Sequence, residues 1–383
     1  ILIDQRGTGY STPSLNCIEY DQDNYANASE EQIESACLSR LLDGGINLSM
    51  FNSAQSAADI QLLRQALGYA EIDLLGISYG TRLALTVMRD HPEGIRSVIL
   101  DSVYPPEVDA YTEQPLVTMQ GLELLAADCQ ADPDCRQAYP NLFQMLTEVV
   151  GELNDSPVMV NFYDTEYDED YQEAVRGDDV VTTISDAMYD SKVIPYLPAF
   201  IGAMYDGQYD HAYEILDLPY ANDSGSYYEE DIDLSDAEGM FYAVECYEEA
   251  VFTDVSQAED LVSSYPFTFT EGLIWGTEDF LGVCSDWAGV QAGSIEDQPV
   301  SSNIPTLVLN GEYDPVTPPS WAQGAAAHLA NSQVFIFPGY GHAVIDAGPC
   351  PVALMVDFLA NPSQPVDASC LAQVSPPDFV INP

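Results

Sequence analysis

Residues 74–82 read LLGISYGTR, and within them Gly76, Ser78 and Gly80 spell Gly-x-Ser-x-Gly. Ile72, Leu74 and Leu75 before the motif make the short apolar run of a buried strand. Leu83, Ala84, Val87 and Met88 after it recur at helical spacing as far as His91 and Pro92. Strand, sharp turn and helix place the serine on the turn. That context turns a weak pattern into a nucleophile elbow: the tight backbone asks for glycine on both sides of Ser78, and the turn lifts the hydroxyl clear of the sheet to where a base reaches it. The bland alternative is an ordinary strand-to-helix turn carrying a solvated serine.

The alternation continues on both sides of the elbow. Residues 53–67 read as a helix capped by Asn52 or Ser53, with Ala57, Ile60, Leu63 and Leu67 on one face. Residues 95–100 form a second short apolar strand that ends at Asp101 and is stopped by Pro105 and Pro106. Far downstream, 306–310 read as a strand, 320–329 as a helix, and 334–337 as a strand running into Gly339, Tyr340, Gly341 and His342. Strands separated by helices predict an α/β fold on a mainly parallel sheet with right-handed crossovers. Ile1 to Ile3 reads as one more buried strand, leading into a glycine-punctuated loop at 4–11. Between about Tyr111 and Ser285 the pattern changes: 113–129, 142–153, 179–189 and 194–205 read as helices, with acidic, tyrosine-rich loops at 163–172 and 222–236. The chain therefore divides into a first core segment, 1–110, a helical insertion, 111–285, and a second core segment, 286–383.

Forty-six per cent of the 383 residues are apolar, enough for a folded globule, and no apolar run approaches the ~18 residues of a membrane-spanning helix. Sixty-three acidic residues face nine basic ones, a formal net charge of -54, and Lys192 is the one lysine. A field of that sign repels polyanions and argues against nucleic acid or anionic membranes as partners. Such a surface suits a saline medium, where the Debye length shrinks to about 3 Å at 1 M, or an acidic one, where part of the charge is neutralised. Of the two, salt is the preferred reading. The acidic runs lack the Asp-x-Asp-x-Asp-Gly spacing of a calcium loop and read as solvated faces. The eight cysteines contain no Cys-x-x-Cys, and the four histidines do not cluster with them, so neither zinc nor any other cofactor is expected. Disulfides formed in an oxidising, extracytoplasmic compartment are expected instead. Neighbours in sequence are expected to pair: Cys17 with Cys37, Cys129 with Cys135, Cys246 with Cys284, Cys350 with Cys370.

A serine hydroxyl is a poor nucleophile until a base takes its proton, and the base needs an orienting carboxylate. His91 sits at a helix end before Pro92, His211 lies in the insertion, and His328 is inside an alanine-rich helix. His342 alone follows a strand, in a glycine-bracketed loop at the C-terminal edge of the sheet, where open α/β sheets bind ligands. Asp314 follows its strand in the same way. Glu312 and Asp346 are the fallback carboxylates, and the bland reading of Asp314 is a turn former before Pro315. Tyr79, directly after the nucleophile, is expected to offer its backbone N–H to an oxyanion. Glu245, Glu248 and Glu249 lie at helical spacings of three and four and so share a face, whose bland reading is a solvated acidic helix.

The string DQRGTGYS at 4–11, the GISYG elbow at 76–80, the stretch GMFYAVECYEE at 239–249 and CSDW at 284–287 resemble the prolyl iminopeptidase and tripeptidyl aminopeptidase family of α/β-hydrolases. The likeness is to its secreted bacterial branch with a TAP-like C-terminal region, extends over nearly the whole chain and is weakest in the middle. The family's Gly-x-x-Asp and Gly-x-Gly-His motifs fall on Gly311 to Asp314 and Gly339 to His342, in the order Ser78, Asp314, His342. The resemblance implies an α/β-hydrolase fold with a helical cap over the active site. It implies a serine aminopeptidase releasing single residues or short peptides from free N-termini through an acyl-enzyme. A carboxylate of the cap, among Glu245, Glu248 and Glu249, would hold the substrate's α-ammonium. In this family the second oxyanion donor comes from a His-Gly or Gly-Gly-Pro-Gly loop upstream of the DQRG strand, which these residues do not contain. The expectation is thus an N-terminal segment of the same protein, several tens of residues long, carrying that donor and the first strands and bound through the sheet. A carboxylesterase, and a catalytically silent binding or surface-assembly protein on the same scaffold, are the rival readings.

Overall fold

The computed structural model describes residues 1–20, 22, 25, 28–164, 169–220, 237–287, 291–381 and 383. Helix α1 (Glu30–Asp43) starts at Ser29, whose hydroxyl accepts the Gln32 N–H while the Gln32 side chain accepts that of Ser29. Helix α2 (Ser53–Ala66) is capped by Asn52, which accepts the Gln55 N–H at 2.9 Å. Strand β1 (Ile72–Ile77), helix α3 (Tyr79–Asp90) and strand β2 (Ile95–Asp101) then form a parallel strand–helix–strand unit. The insertion that follows holds α4 (Ala110–Ala131), α5 (Pro133–Ala138), α6 (Leu142–Asp155), strands β3 (Val158–Asp164) and β4 (Glu169–Val175), α7 (Gly177–Ala187), α8 (Leu197–Tyr205), α9 (Tyr209–Asp217), α10 (Glu238–Glu248), α11 (Val255–Val262) and α12 (Phe267–Trp287). The chain returns to the sheet with β5 (Thr306–Gly311), α13 (Pro319–Ala327), β6 (Ser332–Phe337) and α14 (Pro349–Ala360).

Among the described residues the main sheet has four parallel strands in the order β1-β2-β5-β6. Side chains alternate across a strand, and the two faces sort accordingly. Val98, Leu100 and Val308 pack with Leu85 and Met88 of α3 and Ala322 and Ala325 of α13. Ile99, Leu307, Leu309 and Phe337 pack on the other face with Leu354, Met355 and Phe358 of α14. Strand β5 is buried along its whole length, which is why Leu307, Val308 and Leu309 are apolar in succession rather than alternating with polar residues. The result is the expected α/β architecture, a parallel sheet flanked by helices with a mostly helical insertion between its halves. Ser78, Asp101, Asp314 and His342 sit at or just beyond the C-terminal ends of the strands.

Three readings need correction. Ile1, Leu2 and Ile3 are not a buried strand: they are 87%, 100% and 45% exposed and make no ladder. Apolar residues become a strand only where a neighbour takes up their backbone groups, and among the described residues no strand of the sheet pairs with 1–3. Of the acidic stretch read as a loop at 163–172, residues 163–164 and 169–172 belong instead to the paired strands β3 and β4, in which Phe162 stands opposite Tyr171 with ring centroids 5.5 Å apart, and 165–168 lie outside the described residues. Buried Val160 and Val175 and that aromatic cross-strand pair outweigh the acidic composition. The helix read at 194–205 is a 3₁₀ turn, Ile194–Tyr196, followed by α8. The acidic loop at 222–236 lies outside the described residues.

The four disulfides close in sequence order, Cys17–Cys37, Cys129–Cys135, Cys246–Cys284 and Cys350–Cys370, with Cα separations of 5.2, 5.1, 4.9 and 5.7 Å. They mark an extracytoplasmic protein. Among the described residues no helix is long and apolar enough to cross a membrane.

Candidate active site

Ser78 joins β1 to α3 with φ 55° and ψ −128°, a conformation that L-residues hold only when the surroundings impose it, at about 1–3 kcal/mol. Its N–H donates to the Asp101 carbonyl at 3.0 Å, and its own carbonyl accepts from the N–H and hydroxyl of Thr81. The steric reason for glycine is one-sided. A Cβ on Gly76 would lie 2.3 Å from the Gly80 carbonyl oxygen, whereas a Cβ on Gly80 would meet nothing within 4 Å. The turn therefore needs Gly76, not both glycines. The Tyr79 N–H begins α3, one of the helix's N-terminal donors without an intrahelical acceptor.

Asp314 and His342 are both buried, and His342 Nδ1 lies 3.0 Å from each Asp314 carboxylate oxygen. The carboxylate is held by the N–H groups of Val316 and Thr317, at 3.1 and 2.8 Å, and by the Thr317 hydroxyl at 2.8 Å. Buried Asn310 at the end of β5 accepts the Val103 N–H and donates to the Thr317 carbonyl, fixing that loop. The His342 ring stacks on Tyr189 at 4.3 Å between centroids, and the backbone N–H of His342 donates to the Tyr189 carbonyl. Gly341 permits this approach, since a Cβ there would fall 2.2 Å from the Met188 carbonyl oxygen. A direct Ser78–His342 hydrogen bond is not formed: His342 Nε2 is buried without a hydrogen-bond partner. The imidazole is gripped through Nδ1 and one face, and bonds of this kind often close only when substrate arrives. The fallback carboxylates lie elsewhere; Glu312 accepts the Gly339 N–H at 3.3 Å, and no bond joins Asp346 to the imidazole.

The end of β2 contributes residues the sequence did not single out. The fully buried Asp101 carboxylate accepts the N–H groups of Val344 and Ile345, both at 3.0 Å, and Ser102 Oγ accepts that of Ala343 at 2.8 Å. These bonds tether the loop carrying His342. Burial pushes Asp101 up to about 6 in spite of its two N–H donors. Ser102 and Ala343 also hold left-handed backbone, φ 59° and 57°, so strain gathers at the strand ends around Ser78.

Ser78 opens into a cavity of about 440 Å³, walled largely by apolar groups including Met240, Phe241, Val244 and Trp321. Gln5 and Thr8 reach it from the 4–11 loop, which Arg6 pins to α2 through two bonds to Asp59, 2.8 and 2.7 Å. Neither residue was picked out in the sequence. Of the three glutamates read as a shared face, Glu245 lines the cavity and Glu248 and Glu249 do not. All three are buried, so the solvated-helix reading fails. Glu248 accepts the Ser53 N–H and hydroxyl at 2.5 and 2.8 Å, and Ser53 Oγ is 2.9 Å from Tyr79 Oη. Glu245 accepts the Tyr104 hydroxyl at 3.1 Å, and burial raises it to about 7 against the pull of Arg82. Among the described residues no group of His, Cys, Asp and Glu is arranged to hold a metal.

Two family models match the chain: one described as alpha/beta hydrolase fold over residues 1–168, the other as TAP-like protein over 273–370. The putative hydrolase YuaR of Escherichia coli (strain K12) is 23% identical over 390 residues, covering 96% of this chain and 72% of the relative. The serine protease Hip1 of Mycobacterium tuberculosis (strain ATCC 25618 / H37Rv) is 24% identical over 377 residues, covering 90% and 69%. A tripeptidyl aminopeptidase of Streptomyces lividans is 28% identical over 123 residues, 28% of this chain and 22% of the relative.

Proposed function

The chain belongs to the TAP-like α/β-hydrolases, and from that premise we propose that it is a secreted serine aminopeptidase cleaving single residues or short peptides from free N-termini. The observation that carries this reading is Glu245, the one carboxylate among the residues lining the cavity that also contains Ser78. An α-ammonium there gains a charge-assisted hydrogen bond that an N-blocked peptide lacks. With the ammonium held by Glu245, the scissile carbonyl lies over Ser78. His342 Nε2 takes the Ser78 proton as Oγ attacks, and Asp314 holds the Nδ1–H and the resulting imidazolium. The Tyr79 N–H supports the oxyanion. Collapse expels the amine with the proton from His342, and water activated by the same nitrogen then frees the acyl group from Ser78. The insertion, 111–285, serves as the cap that limits access to chain ends.

Hydrolysis of aminoacyl and tripeptidyl amides with a free amine, compared with N-acetyl amides and simple esters, tests the proposal. Free-amine amides are expected to be strongly preferred, and Ser78→Ala or His342→Ala to abolish turnover. Preference for simple esters would establish the carboxylesterase reading, which the apolar cavity walls favour. Loss of neither activity in Ser78→Ala would overturn both.

A further inference from the structure

Behind the cavity wall lies a charge arrangement with no counterpart elsewhere among the described residues. Arg82, four residues after the nucleophile in α3, is 1% exposed. Its Nε donates to Glu248 at 3.1 Å, its Nη1 lies 2.7 Å from Glu249 in a contact too bent for a hydrogen bond, and its Nη2 donates to the Glu296 carbonyl at 3.3 Å. The guanidinium also sits over the Tyr104 ring, 5.0 Å from its centroid, and the hydroxyl of that ring is the donor to Glu245. One buried cation thus faces three buried carboxylates. Glu248 and Glu249 have the direct contacts, and Glu249 accepts the Ala110 N–H as well. Glu245 has phenolic donors but no cation in contact.

We propose that Arg82 is a positioning residue for substrate selection: it pins Glu248 and Glu249 to the helix behind Ser78 and so fixes Glu245 at the cavity wall as a carboxylate whose missing counter-charge is the protonated N-terminus of the substrate. The inference rests on the aminopeptidase reading and names how its selectivity is built. Removing one partner from a buried pair leaves an uncompensated charge, so the arrangement is rigid. Arginine suits the site because its planar fork presents separate, fixed nitrogens to the two glutamates, where a lysine ammonium is a single mobile point charge. The groups facing Glu245 are Arg82 and Tyr79 of α3, Tyr104 after β2, Tyr111 of α4, and Glu248 and Glu249 of its own segment. Burial and the neighbouring carboxylates favour a proton on Glu245, and an incoming ammonium displaces it.

The test is the ratio of kcat/KM for a free-amine tripeptidyl amide to that for its N-acetyl analogue, across pH, in Arg82→Lys, Glu249→Gln and Glu245→Gln, with thermal melting to verify folding. Arg82→Lys is expected to lower the ratio about tenfold, mostly through KM, the effect of weakening one charge-assisted hydrogen bond. Glu249→Gln removes a competitor for Arg82, so the acidic limb of the free-amine pH profile shifts to lower pH; this variant carries the test if Arg82→Lys does not fold. An unchanged ratio in Arg82→Lys, or an unmoved limb in Glu249→Gln, while Glu245→Gln lowers the ratio, overturns the role of Arg82 and leaves the aminopeptidase reading standing. An unchanged ratio in Glu245→Gln overturns that reading and this inference with it.

Discussion

The two glycines of the elbow are expected to behave differently when each is replaced by alanine. In Gly76→Ala the new Cβ falls 2.3 Å from the Gly80 oxygen, 2.6 Å from its carbonyl carbon and 2.8 Å from the Thr81 nitrogen, all backbone atoms. Relief requires the end of β1 and the first turn of α3 to separate by about 1 Å, given ordinary carbon contacts of about 3.5 Å. Those segments bracket Ser78, so the strain goes into the position of the nucleophile. Overpacking of this kind costs about 1–3 kcal/mol, and a misplacement of about 1 Å costs about 10²-fold in rate. Gly80→Ala meets open space in the first turn of a helix, where alanine is favoured over glycine by up to about 1 kcal/mol. Thermal melting and kcat/KM on a tripeptidyl amide, measured for both variants, give the comparison. Gly76→Ala is expected to lose about two orders of magnitude in kcat/KM and melt lower, with Gly80→Ala melting no lower than the parent. Equal losses in the two variants, or full activity in Gly76→Ala, would refute the steric argument.

Burial raises Asp101 to about 6, Glu245 to about 7 and Glu249 to about 8. The folded protein therefore holds protons that the unfolded chain releases near pH 4, and stability falls as pH rises from about 4.5 to 8. A melting temperature that climbs over that interval contradicts this. Activity on free-amine substrates runs the other way, rising as Glu245 ionises through about pH 7, and a profile flat from pH 5 to 8 would remove Glu245 from substrate binding. The Cys246–Cys284 bridge closes a separation of 38 residues and joins α10 to α12, so Cys246→Ala with Cys284→Ala is expected to cost about 4 kcal/mol in denaturant unfolding and to raise KM for free-amine amides; an unaltered KM would confine the bridge to stability. With a formal net charge of -54, melting temperature should rise between 0.1 and 1 M NaCl, and a fall or no change would discard self-repulsion as a term in stability.

What was legible in the sequence was what is local. The elbow, the strand ends at Asp314 and His342, and the helices flanking the sheet are written in short windows of periodicity and turn residues. The disulfides followed because each pair closes a short loop. Residues whose partners come from distant segments were not legible. Arg82 follows a recognisable motif, yet its bond to Glu248 spans 166 positions, and Asp101 meets the Val344 N–H across 243. Glu245 and Glu248 lie on α10 and Glu249 caps its end, and periodicity does not say whether such residues meet water or a buried arginine. The hairpin at β3 and β4 was hidden by its charge, because composition masked an alternation of Val158, Val160 and Phe162. Ile1 to Ile3 has the chemistry of a strand and lacks a described neighbour to make it one.

The contact between residues 188–191 and the loop bearing His342 bears on how such enzymes can be recombined. Tyr189 supplies both the ring against the imidazole and the carbonyl for the His342 backbone N–H, the Ser191 hydroxyl accepts the Gly341 N–H, and Gly341 has no side chain because Met188 lies against it. In the chain these four residues belong to the insertion; in space they belong to the base. A chimera joined at the insertion's two chain ends would exchange them along with the helices around the cavity and hand the recipient a histidine packed against a foreign surface. The inheritable unit is the sheet together with this short strip of its covering, and a graft that respects it must be cut inside the helical layer, on either side of Met188 and Ser191.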